Sequence, residues 1–294
     1  MSDATTTVGD ARSDDRSGSA AQWMARTRAR DWWHFLVLPL AGTAPLAVDP
    51  ARVAAAVRGV VVAALVLAFG YLLNGIADRS MDSSARKNPF VAEPVRPIHL
   101  LAVGTLAALA LVLSLTGPLV VIAATVVALL TGVVYSAGPR LKRRPVVGTL
   151  ANVACFTPLV FVGIHGPIPP PTPVLAAVFS TLLLENQLLH EGQDAQDDSR
   201  GGVRTTYSVL GARGAASAMA LVGAVAAACG RELGGDATGV ALFGVFAMLF
   251  PYLALRTRGR AAELARLRSL HRVTSALAGA GLYVLGFVGL GLAR

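Results

Sequence analysis

The chain has 294 residues, 54% of them hydrophobic, and its mean hydropathy is +0.59. This composition excludes an ordinary soluble domain and indicates an integral membrane protein. The net charge is +9, but no nucleic-acid-binding motif accompanies it, so we expect no nucleic-acid partner. No obligatory protein partner is evident either, and membrane lipids are the expected surroundings.

The first 30 residues differ in kind from the rest of the chain. Residues 1–30 are rich in Ser, Thr, Asp, Arg and Ala and contain no apolar run. We expect a disordered cytosolic tail there, and not a secretory signal, because acidic residues precede every apolar run. Residues 31–294 are expected to form one membrane domain.

Apolar runs recur along the remainder of the chain. Most are long enough to cross about 30 Å of hydrocarbon, which takes roughly 20 helical residues. The first is the weakest, because Pro39 and Pro45 interrupt it. The expected fold is therefore an all-α bundle of nine transmembrane helices. The nine runs are about 31–48, 52–77, 98–116, 118–137, 146–164, 172–190, 212–229, 238–255 and 273–292.

The placement of Lys and Arg predicts the orientation of these helices. If the N-terminus is cytoplasmic, the tail and the cytoplasmic loops carry 22 of the 26 Lys and Arg residues. This asymmetry follows the positive-inside rule. We expect a multi-pass protein of the plasma (inner) membrane, with its N-terminus in the cytoplasm.

Two acidic clusters end the second and sixth runs, both on the predicted cytoplasmic side. The first reads N-G-I-A-D-R-S-M-D and contains Asn74, Asp78 and Asp82 at helical i, i+4, i+8 spacing. The second reads E-G-Q-D-A-Q-D-D. Its acidic residues are Glu191, Asp194, Asp197 and Asp198. Carboxylates are rare near hydrocarbon unless they have a function, and Asp197, between Asp194 and Asp198, is expected to face solvent.

The cytoplasmic loops place cations beside these acids. Two facing carboxylate patches can hold Mg²⁺, which bridges carboxylates to the phosphates of a substrate. Interleaved Lys and Arg then favour a diphosphate, bound by metal on one side and by charge-assisted hydrogen bonds on the other. The candidate cations for this contact are Arg86, Lys87 and Arg204.

Three motifs together resemble the UbiA superfamily of membrane prenyltransferases. Y-L-L-N-G-I-A-D-R-S-M-D is similar to its first Asp-rich motif, and E-G-Q-D-A-Q-D-D-S-R-G-G-V-R-T-T is similar to its second. V-Y-S-A-G-P-R-L-K-R-R-P resembles the Tyr-Ser and Leu-Lys region between them. The resemblance covers residues 31–294, and nine helices is also the number found in that family.

The resemblance implies a Mg²⁺-dependent transfer of an isoprenyl group from a polyprenyl diphosphate to a lipophilic acceptor, in a bundle that opens near the cytoplasmic face. Lys142 would contact the diphosphate, and Tyr135 and Ser136 would lie at the substrate site. An aromatic ring would face the allylic cation, and the candidates are Tyr71, Tyr135, Phe156 and Phe161. The implied metal ligands, and through them the diphosphate contacts, are Asn74, Asp78, Asp82, Glu191, Asp194 and Asp198.

The sequence departs from the family pattern at two positions. Gly75 stands where the family often has Asp, and Glu191 stands where the second motif usually begins with Asp. Glutamate still provides a carboxylate. A polar run also lies inside the sixth segment, and either interhelical hydrogen bonds or contact with the acceptor explains it. That run contains Glu185, Asn186, Gln187 and His190.

Two other functions remain open at this stage. A membrane terpene cyclase of the same superfamily would use the same diphosphate site and need no acceptor. A cation-coupled transporter would use the carboxylates to bind ions in transit, but the acids are confined to one side of the predicted bundle. Prenyl chain length, acceptor and oligomeric state cannot be read from the sequence.

Overall fold

The structure is a computed structural model. It describes residues 19–43, 49–82, 85, 88–200 and 202–292. The side chains of Asp197 and of residues 287–292 lie outside that description. All regular elements within the described ranges are helical, as the sequence predicts.

The helices are numbered in chain order. Short 3-10 segments connect several of them, and a π-helix, Phe243–Leu249, joins α9 to α10. The α-helices are α1 (Ala20–Arg26), α2 (Ala29–Trp32), α3 (Leu38–Ala41), α4 (Pro50–Asp78), α5 (Pro97–Ser114), α6 (Leu119–Ser136), α7 (Val147–Phe156), α8 (Pro171–Arg200), α9 (Thr206–Leu242), α10 (Phe250–Arg256) and α11 (Ala261–Leu292).

A short helix, α1, lies inside the segment that the sequence predicts as a tail. Ser19 caps it by accepting a hydrogen bond from the Gln22 amide. The helix is anchored to the loop before α5, where Arg26 Nε donates to Glu93 Oε2 at 3.0 Å. Residues 19–26 are therefore ordered by contacts with the bundle, and residues 1–18 lie outside the described ranges.

The first apolar run does not form one continuous helix in its described part. Helix α2, the 3-10 segment Trp33–Val37 and α3 follow one another as short pieces. Arg28, which precedes α2, has a left-handed backbone conformation with φ 53°, and Pro39 lies in the first turn of α3. Neither residue favours a long helix through this region.

Five stretches are long and apolar enough to cross a membrane: α4, α5, α6, the first 26 residues of α8, and Thr206–Arg256. The last has 51 residues and reverses at Gly235, whose φ of 76° suits glycine. The fifth predicted run becomes α7 and a 3-10 turn, because Pro158 interrupts the helix. The protein is thus a multi-pass membrane protein, and the count of nine spans stays a prediction.

Two cores share helix α8. The first core joins the N-terminal segment, α4, α5, α6 and α7 to one face of α8, with Leu183 and Ala176 as its contributions from α8. The second core joins the opposite face of α8 to α9, α10 and α11 through Leu182 and Leu189. Tyr71 of α4 lies within electrostatic range of Arg268 of α11, and Arg268 lies within the same range of Asp194 of α8. Polar residues of α4, α8 and α11 therefore lie around one region of the bundle, which we call the opening.

Candidate active site

The first acidic cluster is built around an ion pair at the end of α4. Lys142 Nζ donates to Asp78 Oδ1 at 2.5 Å and to Asn74 Oδ1 at 2.8 Å. Ser136, the last residue of α6, donates to the same Asn74 oxygen at 3.1 Å. The side chains of Lys142 and Asp78 are only 13% and 12% exposed. Four residues predicted for the site therefore meet in one hydrogen-bonded group.

A strained loop holds Lys142 in this position. Lys142 lies in the 3-10 turn Leu141–Arg143, between Arg140 at φ 48° and Val146 at φ 62°. Positive φ is costly for a β-branched residue such as valine. Arg140 offsets part of this cost by donating from Nη2 to the Ala77 carbonyl at 3.2 Å, next to Asp78. The loop is thus tied to the same helix end that Lys142 contacts.

The ionisation of Lys142 is set by two opposing influences. Burial lowers the pKa of Lys142, and the Asp78 carboxylate opposes that shift. Desolvation disfavours a charged ammonium, whereas a nearby carboxylate favours it. Lys142 is therefore a cation whose charge depends on an anion beside it.

Asp82 is held by a residue that the sequence analysis did not single out. Asn88 is fully buried, and its Nδ2 donates to Asp82 Oδ2 at 2.8 Å and to the Gly75 carbonyl at 2.9 Å. A Cβ at position 75 would come within 3.3 Å of Asn88 Oδ1 and of the Phe90 ring. The glycine thus leaves room for this loop. Arg86 and Lys87 lie outside the described residues.

Glu191, from the second cluster, is engaged in packing between helices. Its Oε1 accepts from Thr149 Oγ1 at 2.6 Å, and its Oε2 accepts from the Tyr207 backbone amide at 2.9 Å. Thr149 also contacts the Thr206 hydroxyl. Glu191 is buried and thereby joins α7, α8 and the start of α9.

The remaining residues of the second cluster continue along α8. Asp194 Oδ2 lies 3.3 Å from His190 Nδ1, one turn earlier. Asp198 is partly buried near the end of the helix, and Arg204 is exposed beyond it. Asp194 also lies within electrostatic range of Arg268 on α11, whereas the structure does not bring Arg204 to the first cluster.

The predicted aromatic residues occupy different environments. Tyr71 lies one turn before Asn74 on α4, and the guanidinium of Arg28 lies 5.4 Å from the centre of its ring. Tyr135 is partly buried beside Asn152, whose Nδ2 is 3.5 Å from the phenol oxygen. Phe156 packs against Phe35 in the first core. Phe161 packs against the same core, whereas Tyr71 and Tyr135 lie beside residues of the first cluster, one turn before Asn74 and next to Ser136.

Arg268 of α11 is a polar residue near Asp194 that the sequence analysis did not single out. Its Nε lies 3.4 Å from Asn186 Oδ1 and its Nη1 lies 3.4 Å from Gln193 Oε1. The Asp194 carboxylate is within electrostatic range. The sequence does contain a signal for this location. Arg268 follows Leu264 by four residues and Leu267 by one, and both leucines belong to the second core, so helical spacing places Arg268 beside the buried face of α11.

The donor set fits magnesium by its chemistry. Asn74 and Asp78 supply an amide and a carboxylate oxygen one turn apart at the end of α4, and Asp82 supplies a carboxylate beyond the end of that helix. Asp194 of α8 supplies another carboxylate. Mg²⁺ prefers oxygen ligands and usually retains waters while binding one or two carboxylates and substrate phosphates. No three His, Cys, Asp or Glu side chains in the described ranges are already gathered to hold a metal. A magnesium ion at this place would therefore need waters or substrate phosphates as further ligands.

Comparison with known proteins identifies the family. The sequence matches the UbiA prenyltransferase family over residues 20–275. The chain belongs to this family. Curated proteins give no sequence match.

Solved UbiA homologues have the same fold at low sequence identity. A homologue from Archaeoglobus fulgidus bound to GPP and Mg²⁺ is 19% identical, with a TM-score of 0.71, over 90% of this chain and 99% of that one. A digeranylgeranylglyceryl phosphate synthase is 14% identical, with a TM-score of 0.71, over 91% and 98%. An apo homologue from Aeropyrum pernix K1 is 18% identical, with a TM-score of 0.63, over 91% and 98%.

Proposed function

We propose that this protein transfers an isoprenyl group from a polyprenyl diphosphate to a lipophilic acceptor and releases pyrophosphate. The observation that carries the proposal is the Lys142 ammonium, 2.5 Å from Asp78 and 2.8 Å from Asn74 at the end of α4. A buried cation among oxygen ligands suits a phosphate that arrives with its own metal ions. Relatives bound to GPP or DMAPP with Mg²⁺ support the same substrate class.

Mg²⁺ is the proposed metal, and Asn74, Asp78, Asp82, Asp194 and Asp198 are its proposed ligands. When bound, it neutralises charge that develops on the leaving pyrophosphate. Glu191 is omitted from this set, although the sequence suggested it. Its two oxygens accept hydrogen bonds from two other helices, α7 and α9, whereas Asn74 and Asp78 accept from Lys142 and Ser136, which belong to the proposed site itself. We therefore propose that Glu191 positions helices.

The side chains have different roles in the ionisation of the prenyl diphosphate. Lys142 donates to the oxygens of the departing pyrophosphate, which stabilises charge where it develops. Before a metal binds, Asn74 Oδ1 accepts from both Lys142 and Ser136, which keeps the ammonium at the proposed site. The allylic cation that remains is shielded from water by the apolar bundle. Tyr71 and Tyr135 offer π faces to it, and the acceptor attacks and loses a proton.

The orientation in the membrane is part of the proposal. The Lys and Arg distribution favours a cytoplasmic N-terminus, and both clusters then lie at the cytoplasmic end of the bundle. A water-soluble pyrophosphate would leave directly into the cytoplasm, while the prenyl chain stays in the apolar interior.

The test is pyrophosphate release by the full chain in detergent with Mg²⁺ and C10 to C20 allylic diphosphates, with and without an acceptor panel of aromatic acids and glycerol phosphates. Release that needs an acceptor and yields a prenylated product supports the transferase. Release without an acceptor, with a cyclic product, replaces it with the terpene cyclase. No release under any condition, together with an ion flux in vesicles that Asp78→Asn abolishes, would establish a transporter instead.

A further inference from the structure

Arg268 presents donors toward the opening that the mechanism above does not use. Its contacts with Asn186 and Gln193 are long, at 3.4 Å each, and they involve only Nε and Nη1. A guanidinium has five N–H donors. Within the described part of the chain, three donors of this partly buried side chain are therefore available to another acceptor.

A buried network fixes where Arg268 lies. Asn186 contacts both the Arg268 carbonyl and His271 Nδ1 at 3.4 Å. His271 Nε2 is 2.8 Å from Glu185 Oε2, and both side chains are fully buried. The α8–α11 register at this level is thus specified by polar contacts one turn from Arg268. Hydrogen bonds between membrane helices are a recognised means of fixing such contacts.

Charges of both signs surround the same place. Arg28, Arg268, Arg272 and Asp31 lie within electrostatic range of the Tyr71 hydroxyl. Asp31 is paired with Arg28 at 2.6 Å, and Asp194 lies within the same range of Arg268. Arg272, one helical turn from Arg268, repels it, so an anionic oxygen at the Arg268 donors would be attracted by both guanidinium groups.

We propose that Arg268 binds an anionic oxygen of a substrate, a phosphate or a carboxylate, on the side of the opening formed by α8 and α11. Glu185, His271 and Asn186 act as positioning residues for it. The inference rests on the proposed function and adds a substrate contact to it. Two sources fit the chemistry: the prenyl diphosphate, or an acceptor that carries an acidic group.

The experiment measures binding to the full chain in detergent, comparing wild type with Arg268→Gln. The probes are pyrophosphate with Mg²⁺, and then 4-hydroxybenzoate and glycerol 1-phosphate added to the pyrophosphate complex. We expect Arg268→Gln to raise one dissociation constant by about tenfold or more, the scale for a hydrogen bond to a charged group. A weaker pyrophosphate complex identifies the diphosphate as the source, and a change confined to an acceptor probe identifies the acceptor.

The matched control is Arg266→Gln, which removes the same charge from an exposed position on α11. It should change no dissociation constant by more than about twofold, because exposed charges are well screened. Equal values for Arg268→Gln and wild type with all three probes would overturn the inference. Failure of wild type itself to bind pyrophosphate with Mg²⁺ would instead refute the proposed function.

The positioning role has its own test, a double-mutant cycle. His271→Gln should weaken the same probe that Arg268→Gln weakens, and should have no further effect when Arg268 is already replaced. Thermal unfolding of each variant checks that the bundle is intact. Equal losses from His271→Gln in both backgrounds would show a general structural effect and contradict positioning through Arg268.

Discussion

At the end of α4, Asp78 forms an ion pair with a lysine from another element, whereas at the end of α8, Glu191 is bonded to α7 and α9. Both clusters have helical spacing and similar composition. In the first, the polar contacts converge on groups suited to a diphosphate. In the second, the leading carboxylate is bonded to two other helices, and the proposed metal ligands begin one turn later at Asp194.

Two motifs of similar composition therefore differ in how their negative charge is neutralised before a substrate binds. The first cluster balances its charge internally, since Lys142 neutralises Asp78 in a site that is mostly buried. The second cluster is more open, with the Asp194 side chain 22% exposed and paired with His190. A metal ion entering the opening would therefore compete with Lys142 on one side and with His190 on the other.

The largest effect is expected from breaking the first cluster. Asp78→Asn removes a proposed metal ligand and leaves Lys142 without its carboxylate. We expect pyrophosphate release to fall by about 100-fold or more, the scale for losing one group that stabilises developing charge. Steady-state release with geranyl diphosphate and Mg²⁺ measures it.

The control for this substitution is Asp236→Asn, which breaks an exposed pair with Arg231 elsewhere in the chain. Its activity should match wild type. Wild-type activity in Asp78→Asn would show that the ion pair serves folding alone.

A second pair of variants separates the two kinds of carboxylate on α8. Asp194→Asn should raise the Mg²⁺ concentration needed for half-maximal activity by about tenfold, because a charged ligand is lost. Glu191→Gln should leave that concentration unchanged. It should lower the free energy of unfolding by about 1–3 kcal/mol, because the Gln side chain has one acceptor oxygen where Glu191 uses two to accept from Thr149 and the Tyr207 amide. Mg²⁺ titration and thermal unfolding give the two readouts, and a raised Mg²⁺ requirement in Glu191→Gln would restore it as a ligand.

The pH dependence of activity tests the role of Lys142. Burial lowers its pKa, and in the proposed mechanism the ammonium form assists the leaving group. We therefore expect kcat/KM to fall as pH rises through this lowered pKa, below the ordinary range for lysine. Arginine at position 142 keeps its charge at any accessible pH. In Lys142→Arg, the fall of kcat/KM on the alkaline side of the pH profile should therefore shift to higher pH. An identical limb in both proteins would assign it to another group.

The smallest of these effects is expected at the loop that supports Asp82. Asn88→Ala removes the bonds to Asp82 and to the Gly75 carbonyl. The carboxylate stays present but less well oriented, so KM for geranyl diphosphate should rise by about three- to tenfold with little change in kcat. Thr238→Ala, which removes a hydroxyl bonded within its own helix, is the matched control. A kcat loss as large as that of Asp78→Asn would place Asn88 among the reacting groups.

The sequence predicted the fold class and the family because both are encoded in local patterns. Apolar runs and the spacing of Asn74, Asp78 and Lys142 can be read without knowing which helices touch. The first run was less predictable, since whether Pro39 and its neighbours form one helix or several depends on tertiary packing. Positive φ at Arg28 and Val146 also left no clear sequence signal.

The role of a polar residue was harder to read than its presence. Glu191 and Asp194 belong to one motif. They differ because Thr149 and the Tyr207 amide, from other helices, donate hydrogen bonds to Glu191. Arg268 belongs to a basic stretch that otherwise reads as solvated. Its partner on α8, Asn186, is 82 residues away, a separation that no local pattern spans.

If both clusters bind one diphosphate through magnesium, substitutions in either cluster should weaken that binding. Calorimetric titration of a non-hydrolysable geranyl diphosphate analogue into wild type, Asp78→Asn and Asp194→Asn, each with and without Mg²⁺, measures this. We expect wild type to bind only in the presence of Mg²⁺, and either substitution to weaken binding. Binding that is independent of Mg²⁺, or that one cluster supports alone, would show that the two clusters do not share a magnesium-bound diphosphate.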